Sequence, residues 1–252
     1  MLFEMTWEGI WEGIGSANLK KGGEPYIWQF YDKLLPGYSF KGKKVLEFGC
    51  GTGINSVIMA MRGASLTLVD SSQKALDIVR QNLDCLGLDA ELLKMDVFDF
   101  REKNKYDLAH SEGLVEHFLP PKRQEIVDMH ARAVKKGGRV LIIVPHAKNP
   151  PYRLGKRLAQ TLGCWVYGNE YPYTRSELAE RMRRAGVEPG KVLGGELLFS
   201  LFWLFTPITL NSSRLMRKGI VNPARPKWTR MNYANPLANR WGRVIGCVGM
   251  KV

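Results

Sequence analysis

Cysteine is scarce in this sequence, and none of it is arranged in a pair. The 252 residues contain four cysteines, at positions 50, 85, 164 and 247, with no CxxC spacing. Scattered single cysteines are typical of reduced thiols in a cytosol rather than of a disulfide framework or a zinc site. We therefore expect a cytoplasmic protein that uses neither disulfides nor a bound metal.

We expect neither a leader nor a membrane-spanning run in this sequence. Its first residues, MLFEMTWEGIWEGIG, are acidic where a secretory or transit peptide needs basic residues, so we expect neither. The apolar run from Leu197 to Leu210 is 14 residues long, short of the roughly 20 that cross a bilayer. Arg214, Arg217 and Lys218 follow it. The segment 197–218 could be a buried lid, the wall of an apolar pocket, or a peripheral contact with an anionic membrane surface.

Acidic residues are few in the last two-fifths of the chain. Residues 1–147 hold 19 Lys and Arg against 19 Asp and Glu, whereas residues 148–252 hold 18 against 5. The formal net charge of +13 therefore belongs entirely to the C-terminal part. A polyanion or an anionic surface would meet that part first, although such charge is often only a solvated basic face.

The middle of the chain alternates short apolar runs with amphipathic stretches. This alternation is typical of βαβ units and predicts an α/β fold with a parallel sheet. The predicted strands are 44–48, 65–70, 90–96, 106–110, 139–144, 187–193 and 243–248. The predicted helices are 54–62, 73–86, 121–136, 154–162 and 174–185.

A glycine loop follows the first predicted strand. Its spacing is GxGxG, and Ile54 stands where a dinucleotide-binding fingerprint has its last glycine. Glycines permit a tight turn and let a ligand approach the amides of the next helix, but a plain turn would also use them. Asp70 and Asp96 close the next two strands, where one carboxylate can accept from ribose hydroxyls and the other from an adenine amino group. Three neighbouring strand ends thus suit a nucleoside, because ligands of open α/β sheets bind at the carboxyl ends of the strands.

The motifs taken together resemble those of the class I S-adenosylmethionine-dependent methyltransferases. VLEFGCGTG is similar to the first motif of that family, LVD to the second, MDVFD to the third, YDLAHSEGLVEHF to the fourth and VKKGGRVLIIVP to the strand-five signature. They follow the family's order over about residues 40–190. The resemblance implies a Rossmann-like, doubly wound sheet of seven strands, the last antiparallel, with helices on both faces. VEHF and YPYTRSELAERMRRAGV are most similar to the branch that acts on small molecules and lipids.

The resemblance also implies S-adenosylmethionine as the cofactor and assigns residues to its parts. The residues implied at the methionine part are Glu47, Gly49, Cys50 and Gly51; at the ribose, Asp70 and Ser71; at the adenine, Asp96 and Val97; and near the sulfonium, Ser111 and Glu112.

Three segments fall outside the regular alternation and are expected to cover the site. Residues 1–40 carry Trp7, Trp11, Tyr26, Trp28 and Tyr31, too aromatic for a disordered tail, and are predicted to form an N-terminal helical lid. Residues 41–252 would form one methyltransferase domain, with insertions at 146–173 and 196–240. In this fold both insertions leave strands on the cofactor side of the sheet, so we expect them to hang over the methyl group.

The reaction itself asks little of the side chains. A sulfonium methyl group is already a strong electrophile, so the enzyme mainly aligns acceptor, carbon and sulfur. A base is needed only when the acceptor must lose a proton. Our candidates lie at or just after the ends of strands four and five, and they are His117, Glu112 and His146, with His110 and Glu116 also considered. His110 could instead be a core histidine, and Glu116 and His117 could be structural.

The tetrapeptide NPPY, residues 149–152, spells a motif that holds the target base in adenine-amino methyltransferases. In those enzymes it follows strand four, whereas here it follows the fifth predicted strand. We therefore interpret it as a rigid turn that leads into a helix.

The sequence leaves two classes of methyl acceptor open. The apolar segment favours a small or lipid-like, partly apolar acceptor. The alternative is RNA, supported by Trp228, Tyr233 and Trp241 among basic residues, but no recognisable RNA-binding module accompanies them. A cofactor-binding scaffold without activity would not need the glycine loop and both acidic strand ends.

Overall fold

The computed structural model describes residues 7, 11, 28–163, 165, 167–198, 200–201, 204 and 233–252. The described strands form one sheet of eight, in the order β3-β2-β1-β4-β5-β8-β6, with β7 paired to β8. Their bounds are β1 Lys44–Phe48, β2 Ser65–Asp70, β3 Glu91–Lys94, β4 Tyr106–Glu112, β5 Val134–Pro145, β6 Val187–Pro189, β7 Leu193–Gly195 and β8 Val244–Lys251. Strand β8 is antiparallel to β5, β6 and β7, and the other pairs are parallel. The doubly wound sheet with an antiparallel last strand is thus confirmed.

Helices cover both faces of this sheet. Their bounds are α1 Trp28–Leu34, α2 Ile54–Met61, α3 Gln73–Asp84, α4 Lys122–Ala133, α5 Pro150–Thr161, α6 Arg175–Arg184 and α7 Pro236–Trp241. One hydrophobic core packs α1, α2 and α3 against the sheet, and a second packs α4 and α6 against the opposite face.

Strand β5 shows how the sequence supplies both cores at once. Val140, Ile142 and Val144 belong to the core under α4 and α6, whereas Leu141 and Ile143 belong to the core under α1 to α3. Successive side chains of a strand point to opposite faces, so a strand covered on both sides has to be apolar throughout. The continuous apolar run therefore marks the centre of the sheet.

The structure corrects three boundaries. The predicted single strand over 187–193 is two short strands, because the chain leaves β8 between Pro189 and Leu193; this makes eight strands rather than seven. Strand β5 starts at Val134, and Gly137 bends within it at φ 74° instead of preceding it. Strand β4 continues two residues further than predicted, to Glu112.

The predicted lid segments are described only in part. Of residues 1–40, Trp7, Trp11 and α1 are helical. The insertion at 146–173 contains α5, whereas most of 196–240, including Phe202 and Phe205, lies outside the described residues. No helix in the described part is long and apolar enough to cross a membrane. The division into a lid and a catalytic domain stays a prediction.

Candidate active site

The carboxyl ends of β1, β2 and β4 lie side by side at one edge of the sheet. Strand β1 pairs with β2 on one side and with β4 on the other, so that Glu47 lies opposite His110 and Phe48 opposite Val69. Parallel neighbours end at the same edge, which is why residues far apart in the sequence meet here. The glycine loop, Asp70 and Glu112 all leave the sheet at this edge.

The glycine loop depends on backbone angles that other residues rarely adopt. Gly49 and Gly51 have φ of 62° and 51°. A Cβ at Gly49 would lie 2.7 Å from the Leu114 side chain, and one at Gly51 would lie 2.7 Å from the ring of Trp11. Both positions therefore need glycine for conformation and for space. Trp11, in the predicted N-terminal lid, closes over this loop.

Asp70 fixes the loop from the neighbouring strand. Its Oδ2 accepts a hydrogen bond from the Gly51 amide at 2.8 Å, and its Oδ1 accepts one from the Ser72 amide at 2.9 Å. The side chain is buried, while Ser71 beside it is exposed.

At the end of β3, Asp96 has an exposed side chain that caps the short 3-10 helix Val97–Asp99 by accepting from the Phe98 amide at 2.9 Å. Val97, the next residue, is buried.

Behind the loop, a buried chain of polar groups joins β1, α2 and β4. Ser56 Oγ lies 2.7 Å from Glu47 Oε2 and 2.9 Å from His110 Nε2. Burial raises the pKa of Glu47 to about 8, although the hydrogen bond from Ser56 acts to lower it. Burial also lowers the pKa of His110 to about 3. His110 is thus a neutral, fully buried histidine that helps to position Glu47 through Ser56.

Glu112 and Ser111, the last two residues of β4, point to opposite sides. Glu112 Oε2 accepts from Asn55 Nδ2 at 2.8 Å, and the Tyr31 hydroxyl lies 3.5 Å away. Burial, aided by the charge of Glu196, raises the pKa of Glu112 to about 7, while Arg243 opposes the shift. Ser111 is fully buried, and its Oγ lies 3.0 Å from Nε2 of His130 in α4. The Ser111 hydroxyl is therefore engaged in the core under α4, and only Glu112 presents its side chain beside the glycine loop.

A second polar group lies just beyond β4, in the 3-10 turn Val115–His117. Glu116 is 1% exposed, and its Oε2 has no hydrogen-bond partner among the described residues. Burial raises the pKa of Glu116 well above its ordinary value, and the charge of Glu170 adds to the rise. The rings of His117 and Trp7 form a T-shaped pair with centroids 5.0 Å apart, and His117 Nδ1 lies 2.8 Å from the Asn169 carbonyl oxygen. We call Glu116, His117 and Glu170 the acid corner.

Helix α5 holds the third member of the acid corner in place. Lys156 Nζ donates to the Glu170 carbonyl at 2.8 Å and lies 3.2 Å from its carboxylate, and the Tyr152 hydroxyl also donates to that carboxylate. Ligand atoms of Glu116, His117 and Glu170 lie within 4.8 Å of one another, a spacing that a divalent cation could bridge. Lys156 already supplies Glu170 with a positive charge, which makes this set a poor cation cage.

His146 occupies a structural junction rather than the acid corner. It is 1% exposed, its backbone amide donates to the Arg243 carbonyl at 2.7 Å, and its Nδ1 lies 3.2 Å from the Gly242 carbonyl oxygen. Burial lowers its pKa. The ring thereby ties the end of β5 to the start of β8.

The NPPY tetrapeptide is the start of α5, and the helix begins four residues earlier than predicted. Asn149 is its N-cap: Oδ1 accepts from the Tyr152 amide at 2.7 Å, and Nδ2 donates to the Trp241 carbonyl at 2.6 Å. The two prolines occupy the first helical turn, where their missing amide protons cost nothing. Asn149 is fully buried, and its amide groups are engaged in a helix cap and a link to α7.

Several residues of the site had no local signal in the sequence. Tyr31 reaches Glu112 across 81 residues, and Arg243 forms an ion pair with Glu196 across 47. Glu170 lies in an irregular segment with nothing to mark it. Asn55 could have been found, because it is the second residue of the helix that follows the glycine loop.

The chain matches the methyltransferase domain family over residues 24–190, more than half of its length. It belongs to that family and is an S-adenosylmethionine-dependent methyltransferase. The match agrees with the geometry, because the glycine loop, Asp70 and Glu112 surround one edge of a sheet with the topology that the motifs implied.

Among curated proteins, the chain is similar to a ubiquinone biosynthesis O-methyltransferase of Dechloromonas aromatica (strain RCB). The two are 30% identical over 162 residues, which cover 62% of this chain and 69% of that protein.

Two solved structures share the fold. An S-adenosylmethionine-dependent methyltransferase from Thermotoga maritima is 18% identical, with a TM-score of 0.61 over 89% of this chain and 86% of that one. Magnesium protoporphyrin IX methyltransferase from Synechocystis PCC 6803, solved with S-adenosylhomocysteine, is 14% identical, with a TM-score of 0.59 over 96% and 91%.

Proposed function

We propose that this enzyme methylates an oxygen atom of a small, partly apolar acceptor that carries a hydroxyl group. The observation that carries the proposal is the buried Glu116 carboxyl, whose Oε2 has no partner among the described residues. Buried polar groups are normally satisfied, so a group left open at a strand end is suited to a ligand hydroxyl. The printed names of the curated relatives, O-methyltransferases of ubiquinone biosynthesis, support oxygen as the accepting atom.

The cofactor is proposed to bind at the edge formed by β1, β2 and β3. When bound, S-adenosylmethionine supplies an electrophilic methyl group on a positively charged sulfur. The residues proposed to hold it are Glu47, Gly49, Cys50 and Gly51 at the methionine part, Asp70 and Ser71 at the ribose, Asp96 and Val97 at the adenine, and Glu112 near the sulfonium. The resemblance also implied Ser111 near the sulfonium. We propose only its backbone there, because its hydroxyl is hydrogen-bonded to His130.

Glu116 is proposed to accept the proton of the acceptor hydroxyl. A carboxylate whose pKa is raised by burial is a stronger base than an exposed one, and it must be deprotonated to act. The charge of Lys156, which contacts Glu170, opposes this rise in the pKa of Glu116. His117 is proposed to border the acceptor beneath Trp7. His146 stays a candidate only through its Nε2, which lacks a partner among the described residues.

The aromatic residues around the acid corner support a small, partly apolar acceptor. Trp7 and Trp11, four residues apart and both helical, contact His117 and the glycine loop. An aromatic cover of this kind suits a compact apolar body. The expected contribution of Phe202 and Phe205 to the same wall remains a prediction from the sequence.

RNA is less well supported as the acceptor. Tyr233, one of the three aromatics that favoured it, is buried and stacks on Phe30 at 5.2 Å, so it offers no face to a nucleobase. Trp228 lies outside the described residues, and Trp241 is exposed.

The test begins with mass spectrometry of small molecules and lipids that copurify with the protein, followed by methyl-transfer assays on those found. Glu116→Gln keeps the size of the side chain and removes the base, so we expect turnover to fall by about a hundredfold or more while cofactor affinity is kept. Glu125→Gln, at an exposed position of α4, is the matched control. Turnover of Glu116→Gln within twofold of the parent would remove Glu116 from the proposal.

A further inference from the structure

Helix α5 presents a row of leucines to solvent. Leu154, Leu158 and Leu162 are 52%, 43% and 63% exposed. They are spaced by four residues, which places them above one another on one face. We call these three residues the leucine ridge. Single exposed leucines are ordinary, but an aligned row on one helix needs an account.

Packing against the protein does not explain the ridge, because α5 is anchored by its other face. Tyr152, Gly155, Lys156 and Ala159 are buried there. A helix that buries one face normally carries polar residues on the other, so the ridge is a departure from the pattern of a surface helix.

Basic residues flank the ridge. Lys148, Arg153 and Arg157 are exposed, and residues 147–169 contain no Asp or Glu. The arginines immediately precede two of the ridge leucines, so each apolar side chain has a positive neighbour. The surface therefore combines apolar insertion with attraction for negative charge.

The NPPY tetrapeptide also links α5 to α7. Asn149 Nδ2 bonds the carbonyl of Trp241, the last residue of α7, at 2.6 Å. Trp241 and Leu237 are themselves 38% and 63% exposed, and Arg240 is exposed between them. The turn that resembled a base-holding motif thus links two helices with exposed apolar and basic residues.

We propose that the leucine ridge and its flanking basic residues dock the enzyme on an anionic lipid bilayer. A helix of 12 residues is too short to span a membrane but suits the interface, with its apolar side chains among the acyl chains and its arginines against phosphate groups. A nucleic acid would satisfy the arginines and leave the leucines without an apolar partner.

This placement gives the proposed acceptor a short route. The buried face of α5 carries Tyr152 and Lys156, which hold Glu170 in the acid corner. An apolar acceptor dissolved in the bilayer would approach the enzyme at the leucine ridge of α5. It would be methylated next to the opposite, buried face of the same helix. This last step rests on the proposed function, whereas the docking itself does not.

Docking is tested by flotation of the full-length protein with vesicles of phosphatidylcholine alone and of phosphatidylcholine with a quarter phosphatidylglycerol. We expect binding to the anionic vesicles and little to the neutral ones. Leu154→Ser with Leu158→Ser should weaken binding about tenfold or more, and Arg153→Gln with Arg157→Gln should weaken it and flatten its dependence on salt. The controls are Met61→Ser with Met250→Ser, and Arg183→Gln with Arg184→Gln, which are exposed residues outside α5.

Circular dichroism and cofactor titration of each variant establish that it is folded. The proposal would be overturned if the parent protein floats with neither kind of vesicle. It would also be overturned if the leucine-ridge variants bind the vesicles as well as their controls do. Loss of vesicle binding with turnover on a water-soluble acceptor kept would support it and leave the proposed function intact. Conversely, vesicle binding without any methyl transfer to oxygen would contradict the proposed function alone.

Discussion

The Gly51 amide donates a 2.8 Å hydrogen bond to Asp70 Oδ2, and this bond joins two motifs that lie 19 residues apart. The Asp70 carboxylate thus shapes the glycine loop, and we propose that it also binds the ribose of the cofactor. A change at Asp70 should then act on both the loop and the ribose contact.

Asp70→Ala should lower the affinity for S-adenosylmethionine. It removes the anchor of the loop and the charged acceptor for the ribose hydroxyls, a loss on the order of 2–4 kcal/mol. Isothermal titration measures the change, and Asp128→Ala, an exposed carboxylate on α4, serves as the control. Unchanged affinity in folded Asp70→Ala would show that the carboxylate is not at the ribose.

Cofactor binding should depend on pH and release protons. The pKa values of Glu112 and Glu47 are raised to about 7 and 8, chiefly by burial, so both carboxyls are largely protonated below pH 6.5. S-adenosylmethionine carries positive charge on its sulfur and amino group, and a nearby cation favours the ionised carboxyl. Affinity should therefore rise between pH 6 and pH 8.5. Titrations in buffers of different ionisation enthalpy count the protons released, and a count of zero near pH 7 would contradict this placement.

The same raised pKa values predict how the ligand-free protein responds to pH. A carboxyl whose folded pKa exceeds its unfolded pKa contributes stability that is present below the unfolded value and is lost as pH rises through the folded value. Thermal melts should accordingly show stability falling between pH 6 and pH 8.5, and added cofactor should reduce the fall. Melts that are flat in pH without cofactor would argue against buried, protonated carboxyls at positions 47 and 112.

Asn149→Ala should affect stability more than chemistry. The substitution removes a helix N-cap, worth about 0.5–2 kcal/mol, and leaves the Trp241 carbonyl without its donor. Turnover per folded molecule should stay within a few-fold of the parent. Asn149→Ser, which can still cap the helix, should recover part of the stability. A folded Asn149→Ala protein that binds cofactor but has no turnover would reinstate NPPY as an acceptor clamp.

The sequence predicted the parts of the fold that local chemistry determines. The GxGxG loop needs positive φ, the fully apolar strand β5 needs cover on both faces, and Thr174 with Glu177 begins α6, where Oγ1 accepts from the Glu177 amide at 3.2 Å. These signals lie within a few residues of the structure that they specify. The strand ends that we propose to bind the cofactor could be predicted for the same reason.

The acceptor side could not be predicted from the sequence, because its contacts join segments that are distant along the chain. The acid corner brings together the turn after β4, α5 and the irregular segment before Tyr171. In the sequence alone, nothing distinguishes Glu116 from any other turn residue. Ser111 shows the converse: it stands within a motif, yet the alternation of β4 sends its hydroxyl to His130. Because side chains alternate along a strand, Glu112 and not Ser111 lies on the side of the glycine loop.

The central claim, methyl transfer to an oxygen of a small acceptor, is tested most directly by following the methyl group itself. The enzyme is incubated with deuterium-labelled methyl donor and the organic extract of its own host cells, and the labelled products are fragmented by mass spectrometry. We predict one low-mass, organic-soluble product with the label on oxygen, formed by the parent and by Glu125→Gln but not by Glu116→Gln. Label that appears only in RNA or protein, or on nitrogen or carbon of a small molecule, would contradict the claim.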